Sequence, residues 1–522
     1  MPAETGVLFS QWPLPSEASG SHPAPLCSSP GDPSAPVAQP RFKVIDRRQA
    51  FFRCVDVEAL IDEDHPARAI WNTVEKIDLS AFCKQARAVK GSAGRSSMPP
   101  GLLVSLWVYA YSQGVGWARE ISRLSSYHPT YQWLTGAEKI SGHTLSSFRV
   151  EHKEALEKLF IEVVGVLSAE GFVKLNRVMQ DGTKVRANAA SDSFRKRETL
   201  EQHLAEARQQ CEALAKTDDS DEKEVQKQAR KRAAEERMAR LDAAVKQIEQ
   251  LEDNAGSDKT VRVSSSDPEA RNMKHADGGF APSYNVQTTT AAQGKAIVSI
   301  EVTQAGNDFE QLQPALDRMQ RTLSSKPEQA VVDGGYISQT NILETATSGV
   351  ELIGPVISTE SKAAQCYQRA GVKPEFYADQ FRLEAGENCM YCPMGKRLAY
   401  QGKQKSELVV IQKYQARAGD CAACVRKVDC CPKNEKSGRS VQRSEYHEEI
   451  KDFQQRMELP ETKQIYRTRS EVAETPHLWM KAKFKLRQFH VRGLLNVGQE
   501  ALWVALTYNI ALLLRNRKKV LA

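Results

Sequence analysis

Two short stretches, far apart in the chain, share one pattern. In VVDGGYIS, residues 331–338, the strand-forming Ala330, Val331 and Val332 run into Asp333, and Gly334 and Gly335 then break the strand. Ser338 is placed to cap a helix through Asn341, Ile342 and Leu343. In VMQDGTKVRANAA, the apolar Val178 and Met179 lead through Gln180 into Asp181, Gly182 and Thr183, so that a second strand ends at Asp followed by Gly. Asp and Gly dominate ordinary turns, so either stretch alone reads equally well as a turn without chemistry. Together they constrain more. Two carboxylates at the ends of neighbouring buried strands can share divalent cations, and an all-oxygen site suits Mg or Mn. Two such ions about 4 Å apart can clamp the attacking and leaving oxygens of a phosphodiester.

The segments between these acids set the fold class. After Asp181, two further strands are expected in SYNVQTTT and KAIVSIEVTQ, joined by the turn AAQG. A helix over Asp308–Leu323 leads to the strand before Asp333, and ELIGPVIS supplies a fifth strand. Counted from the strand of Asp181, the order β-β-β-α-β is that of a ribonuclease-H-like fold, in which the first and fourth strands are adjacent. The fold class is therefore mixed α+β. Residues 196–253 interrupt the core as a charged helical hairpin, with Leu200, Leu204, Ala207, Cys211 and Leu214 spaced by threes and fours and TDDSDE as its turn. Self-packing accounts for this pattern, and a coiled-coil contact with a second subunit is the alternative.

Residues 1–41 are rich in Pro, Ser, Ala and Gly and read as a disordered tail. Residues 42–165 read as short helices: one after His65-Pro66 with Ile70, Val74 and Ile77 on one face, one entered by Pro99-Pro100, and others over 118–124, 130–134 and 144–159. The spacing fits either a helix-turn-helix DNA-binding domain or a plain bundle. Arg119, Arg123, His143 and Arg149 are its phosphate-contact candidates. The core domain then spans 166–515, and 516–522 is a short basic tail. The apolar stretch 501–514 reads as a core helix, no apolar run is long enough to read as a membrane span, and no secretory signal is evident, so a cytoplasmic protein is expected. The net charge of +7 permits nucleic acid without demanding it.

Six of the 11 cysteines fall between Cys389 and Cys431, within a second insertion over 360–460. Cys389-x2-Cys392 and Cys421-x2-Cys424 flank 28 residues, and Cys430-Cys431 follows. Paired Cys-x2-Cys turns point thiolates at one ion, so a structural zinc held by Cys392, Cys421, Cys424 and Cys430 is expected, with Cys389 and Cys431 as competitors. Reduced thiols in a small core are the other reading.

The ordered motifs resemble a DDE transposase of bacterial insertion sequences, most closely the family numbered eleven eighty-two. DGTKVRANA at Asp181 and VVDGGY at Asp333 resemble its two aspartate motifs, and DPEARNMKHADG with SYNVQ resembles the stretch between them. Tyr466-x2-Arg469-x4-Glu474-x6-Lys481 resembles its tyrosine, arginine, glutamate and lysine signature. DEDHPARAIW and GLLVSLWVYAYSQG resemble its N-terminal domain, and RGLLNVGQEALWVALTYNI its C-terminal helices. One departure follows Glu474, where Thr475, Pro476, His477 and Leu478 replace a Pro-x-Phe-Gly-like run.

The resemblance implies cleavage at the ends of the element and strand transfer into target DNA. Asp181, Asp333 and Glu474 would bind two Mg2+ or Mn2+ ions; Glu471 is the main rival as third acid and Glu500 a distant one. Lys184, Arg186, Tyr466, Arg469 and Lys481 would contact DNA, the helical N-terminal region would read the terminal inverted repeats, and a homodimer on DNA is expected. The alternative is a catalytically idle or domesticated sequence-specific DNA-binding protein on the same fold.

Overall fold

The computed structural model describes residues 54–84, 97–216, 224–255, 261–356, 366–406, 409–432, 437–444 and 447–521. The chain divides into Met1–Cys54 and Val55–Ala522. The tail expected over 1–41 and the turn TDDSDE lie outside the described residues.

Among the described residues of Val55–Ala522, a 3-10 turn over Glu58–Leu60 is followed by seven α-helices: α1 (Pro66–Val74), α2 (Ser80–Cys83), α3 (Pro100–Ser112), α4 (Ala118–Leu124), α5 (Pro129–Thr135), α6 (Gly142–Glu151) and α7 (Lys153–Ala169). Pro66 and Pro100 begin their helices, where the missing N–H costs nothing. The single helix expected over 144–159 is two, broken at His152.

The central sheet follows. β1 (Lys174–Arg186) pairs antiparallel with β3 (Phe280–Gln293), and β3 pairs antiparallel with β2 (Arg271–Lys274) and with β4 (Ile297–Thr303). After α10 (Leu312–Leu323), β5 (Gln329–Val331) lies parallel to β1. After α11 (Gln339–Ser348), β6 (Glu351–Ile353) lies parallel to β5. The central order β4-β3-β1-β5-β6 and these directions are those expected for a ribonuclease-H-like sheet. Ser338 caps α11 by accepting from the Asn341 N–H, as its position predicts.

The first insertion is a hairpin of α8 (Arg197–Lys216) and α9 (Glu224–Ala255). It carries its own small core of Leu200, Leu204, Ala207, Leu241, Ala244 and Ile248, so its apolar stripes are consumed by self-packing. The second insertion holds an antiparallel sheet that the sequence did not reveal: β7 (Arg382–Glu384), β8 (Cys389–Tyr391), β9 (Arg397–Ser406), β10 (Val409–Ala416) and β11 (Ser440–Ser444). Its core is likewise separate, built on Phe376, Phe381, Met390, Leu398 and Tyr414.

Beyond this sheet come α14 (His447–Glu458), α15 (Pro460–Arg467), α16 (Arg469–Leu478) and α17 (Leu494–Leu521); α12 (Ala418–Ala422) and α13 (Lys427–Cys430) lie inside the insertion. α17 is long and apolar enough to cross a membrane, but 83% of its most apolar window is buried within the protein. It packs on β4, α7 and α3, so its composition is that of a core helix, and it continues through residues 516–521. One apolar cluster runs from Ile70 and Trp107 through the sheet to Trp503 and Leu513.

Two sequence assignments change here. Arg149, a candidate phosphate contact, is buried: its guanidinium lies 4.8 Å over the Trp107 ring, donates to the Gly116 carbonyl at 2.7 Å and stands 3.6 Å from Glu500. Glu500, a distant rival as third acid, is fully buried in the same network, where its carboxylate also accepts from the His490 backbone N–H at 2.8 Å. An apolar helix face accommodates this charge only because each partner cancels the other. Arg149→Ala is therefore expected to leave Glu500 without its guanidinium partner and to cost about 3 kcal/mol, measured by denaturant unfolding of the purified protein. A loss below about 0.5 kcal/mol would show that the pair is not buried as described.

Candidate functional site

Register brings the two aspartates together. Val178 pairs with Ala330 and Met179 with Val331 in parallel strands. Two residues further on, Asp181 stands alongside Asp333, and equal parity sends both side chains to one face. β1 does not end at Asp181, contrary to the sequence reading. It continues through Gly182, paired with Gln287, to Arg186. Only Asp333 sits at a true strand end, where its Oδ1 accepts from the Gly335 N–H at 2.8 Å.

α16 lies across β1 and β3 and closes the site. Arg469 at its start reaches both acids: its Nη2 is 3.1 Å from Asp181 Oδ1 and 3.6 Å from Asp333 Oδ2. His477, two turns later on the same face, lies 3.5 Å from Asp181 Oδ2 through Nδ1 and 2.6 Å from Thr288 Oγ1 through Nε2. Burial, with the charges of Lys481 and Arg469, pushes the His477 imidazole down to about 3. His477 is therefore neutral, and its contact with Asp181 is not an ion pair.

Asp181 is affected in the opposite direction. Burial pushes its carboxyl up to about 6, Arg469 pulls against this, and the charges of Asp333 and Asp308 add to the rise. Desolvation outweighs a good ion pair here because only one guanidinium serves more than one carboxylate. Lys481 follows α16 in a π-helical turn over Trp479–Lys483, and its ammonium hydrogen-bonds the Thr183 hydroxyl. Burial holds Lys481 below the usual lysine range, with Asp181 opposing. Pro476 lies inside α16, where it has no N–H to donate, so the sequence departure after Glu474 is accommodated within the helix and is followed by the wide turn.

The other predicted residues divide. Glu474 is an exposed residue of α16, and no ion pair joins it among the described residues. Its rival Glu471 is bound to Lys295 at 2.6 Å. Tyr466 is half-buried on α15, a separate helix from that of Arg469. Lys184 donates to the Lys274 carbonyl at 2.9 Å, and Arg186 is exposed at the strand end. Cys392, Cys421, Cys424 and Cys430 line one small cavity together with Cys431, whereas Cys389 is buried on β8, 3.5 Å from Glu387. Cys392 Sγ accepts the Lys396 N–H and Cys421 Sγ the Arg439 N–H. Among the described residues no three His, Cys, Asp or Glu side chains already stand in a coordinating arrangement.

Sequence reasoning missed His477, which appeared only as a departure from a motif, and Asp308, which was assigned to the start of α10. Asp308 precedes that helix, in the loop after β4.

Comparison with known families matches residues 391–514 to the family described as Transposase DDE domain, and residues 55–151 to the family described as Transposase domain (DUF772). The two matches support a DDE transposase family, which implies a metal-dependent, DNA-cleaving enzyme class with DNA as partner. No curated protein and no solved structure matches the chain.

The Asp181 carboxyl, raised from 3.8 to about 6, binds its proton more tightly in the folded state than in the unfolded one. Its contribution is therefore present at low pH and is lost as pH rises through about 6. Asp181→Asn is expected to raise the Tm of the metal-free protein at pH 7.5 and to flatten its Tm profile between about pH 4 and 7. An unchanged profile would contradict the burial of this charge.

Proposed function

We propose that this chain is a DDE transposase that cuts DNA at the ends of an insertion sequence and joins them to target DNA, with Asp181, Asp333 and Glu474 as its metal-binding acids. The observation that carries this reading is the parallel register that sets Asp181 beside Asp333 under one guanidinium, in a chain whose matches support that family. The donor set fits the metal, being carboxylate oxygen without sulfur, as Mg2+ or Mn2+ requires. Bound there, the cations supply charge neutralisation at a phosphodiester and acidify water.

The chain's own residues bind and orient. Arg469 balances the acids in the free protein and turns to a phosphate when cations replace it, gripping it in bidentate fashion. Neutral His477 holds Asp181 from the buried side. Glu474 contributes its carboxylate from the exposed side of α16, and Tyr466 contacts a phosphate close to the cut. Lys184 and Arg186 share one face of β1, and both act, with Lys481, to hold His275 below its ordinary range, after burial as the larger cause. They form a track for the phosphate backbone leading from the acids, so affinity falls with salt. The helices over 66–169 read the terminal inverted repeats, with Arg119, Arg123 and His143 exposed for phosphate contact. The protein acts as a homodimer on DNA, in the bacterial cytoplasm at the nucleoid.

Asp181→Asn and Asp333→Asn are each expected to abolish Mg2+-dependent nicking of a duplex carrying the repeat while DNA binding survives. Cleavage retained in both variants removes the assignment, and a wild-type chain that binds without cutting supports the idle DNA-binding alternative.

The cysteine cavity takes a structural zinc through Cys392, Cys421, Cys424 and Cys430, with Cys431 as competitor. All four line this one cavity, and backbone N–H donors reach two of the sulfurs. Purified protein is expected to release about one zinc per chain on thiol modification, and Cys421→Ser to lower that yield. Zinc-free protein with an intact fold would leave the cluster as reduced core thiols.

A further inference from the structure

We propose that Asp308 is a further carboxylate of the divalent-metal centre, ligating a cation through Oδ2 beside Asp181 and Asp333. The inference rests on the metal-dependent reading above and adds a residue that neither the aspartate motifs nor the signature around Glu474 contains.

Asp308 is fixed between Gly182 of β1 and the turn that follows Asp333. Its Oδ1 accepts from Asn285 Nδ2 at 2.8 Å and from Gln287 Nε2 at 2.6 Å, both on β3. Gln287 is 3% exposed, and its Oε1 accepts from Gln180 Nε2 at 2.9 Å and from the Tyr336 hydroxyl. Asp308 is thus held by a satisfied network that reaches back into β1. Gln287 pairs with Gly182, which places Asp308 directly over the residue after Asp181.

This closeness explains the glycine. A Cβ on Gly182 would lie 2.6 Å from both Asp308 Oδ1 and Gln287 Nε2, so a side chain there would force one or both of these groups to shift. On the other side, at the turn after Asp333, a Cβ on Gly335 would lie 3.8 Å from Asp308 Oδ2 and 3.0 Å from Asp333 Oδ1. Oδ2 therefore lies toward the Asp333 turn, and it carries no hydrogen bond or ion pair among the described residues.

The charges are unequal. Asp181, Asp308 and Asp333 are three carboxylates, and, after burial as the larger cause, the charges of all three act on the Tyr336 hydroxyl. One guanidinium, Arg469, touches two of them, and Lys481 is engaged with Thr183. Two amide donors hold one oxygen of Asp308 and leave the other open toward its acidic neighbours. A loop anchor needs only the first oxygen; an anionic metal ligand uses the second.

The test separates these roles on the full-length protein with Mn2+ alone as probe, by the electron paramagnetic resonance signal of free Mn2+. Asp308→Asn keeps an oxygen for Asn285 and Gln287 but loses the charge. It is expected to weaken Mn2+ binding about tenfold or more, as does Asp181→Asn, while the Tm in EDTA does not fall. If Asp181→Asn weakens binding and Asp308→Asn stays within about twofold of wild type, Asp308 is a loop anchor only and the inference fails alone. If neither variant changes Mn2+ binding, the metal-dependent reading fails with it. Should Asp308→Asn not fold, the wild-type chain still decides. Fe2+ with ascorbate and peroxide is expected to cut the backbone around residues 181, 308 and 333, and cuts around 181 and 333 without one around 308 overturn the proposal.

Discussion

The short parallel pairing of Val178 and Met179 with Ala330 and Val331 is the constraint on which the site depends. Side chains alternate along strands, so a slip of one residue would turn Asp181 or Asp333 to the opposite face. What prevents the slip is apolar. Val178, Met179, Ala330 and Val331 are all fully buried, and their burial on the α-helical layers specifies the register more strongly than any polar contact at the rim. The acids are carried into place by residues that take no part in chemistry.

The same packing determines the electrostatics. Asp181 lies where an apolar strand enters the site, so its charge is desolvated, and a guanidinium 3.1 Å away does not offset this. A site with more carboxylate than cation is poorly neutralised without further positive charge. That imbalance is a cost to the free protein, and on the proposed reading it is the driving force for taking up a cation, as distinct from a structural ion-pair network. The buried Arg149–Glu500 pair is the contrast within this chain. There His490 and Arg149 outweigh the burial penalty and hold Glu500 below the ordinary carboxylate range, leaving nothing to attract a ligand.

Legibility in the sequence followed the range of the interaction. The order of strands, the cap at Ser338 and the helical hairpin are local patterns, and each could be read directly. Asp181 and Asp333 were legible because an apolar run points at each. The reason for Gly182 was not, because it lies in Asp308, more than a hundred residues later in a polar loop with no period. Arg149 was misread for the same reason: on its own helix it is one more basic residue, and only Glu500 and Trp107, brought in by the fold, account for its burial. The sheet of the second insertion was hidden by strands rich in Lys, Gln and Arg, whose alternation is weak and whose small core is drawn from several of them. Glu474 was placed by its motif alone, and it stands exposed on α16.

The C-terminal segment makes the site more than a decorated sheet. After Lys481 the chain runs beside the end of β1: the Arg186 N–H donates to the Arg487 carbonyl, and the Phe489 N–H donates to the Arg186 carbonyl. One residue on, His490 joins Glu500, and Glu500 faces Arg149 on α6. A continuous set of hydrogen-bonded and ion-paired groups thus links a helix of the N-terminal layer to the strand that carries Asp181, Lys184 and Arg186. Packed interiors shift between discrete arrangements rather than deforming smoothly. The helices of the N-terminal layer and the strand of Asp181 are therefore tied by these buried contacts as well as by the chain that passes from α7 into β1.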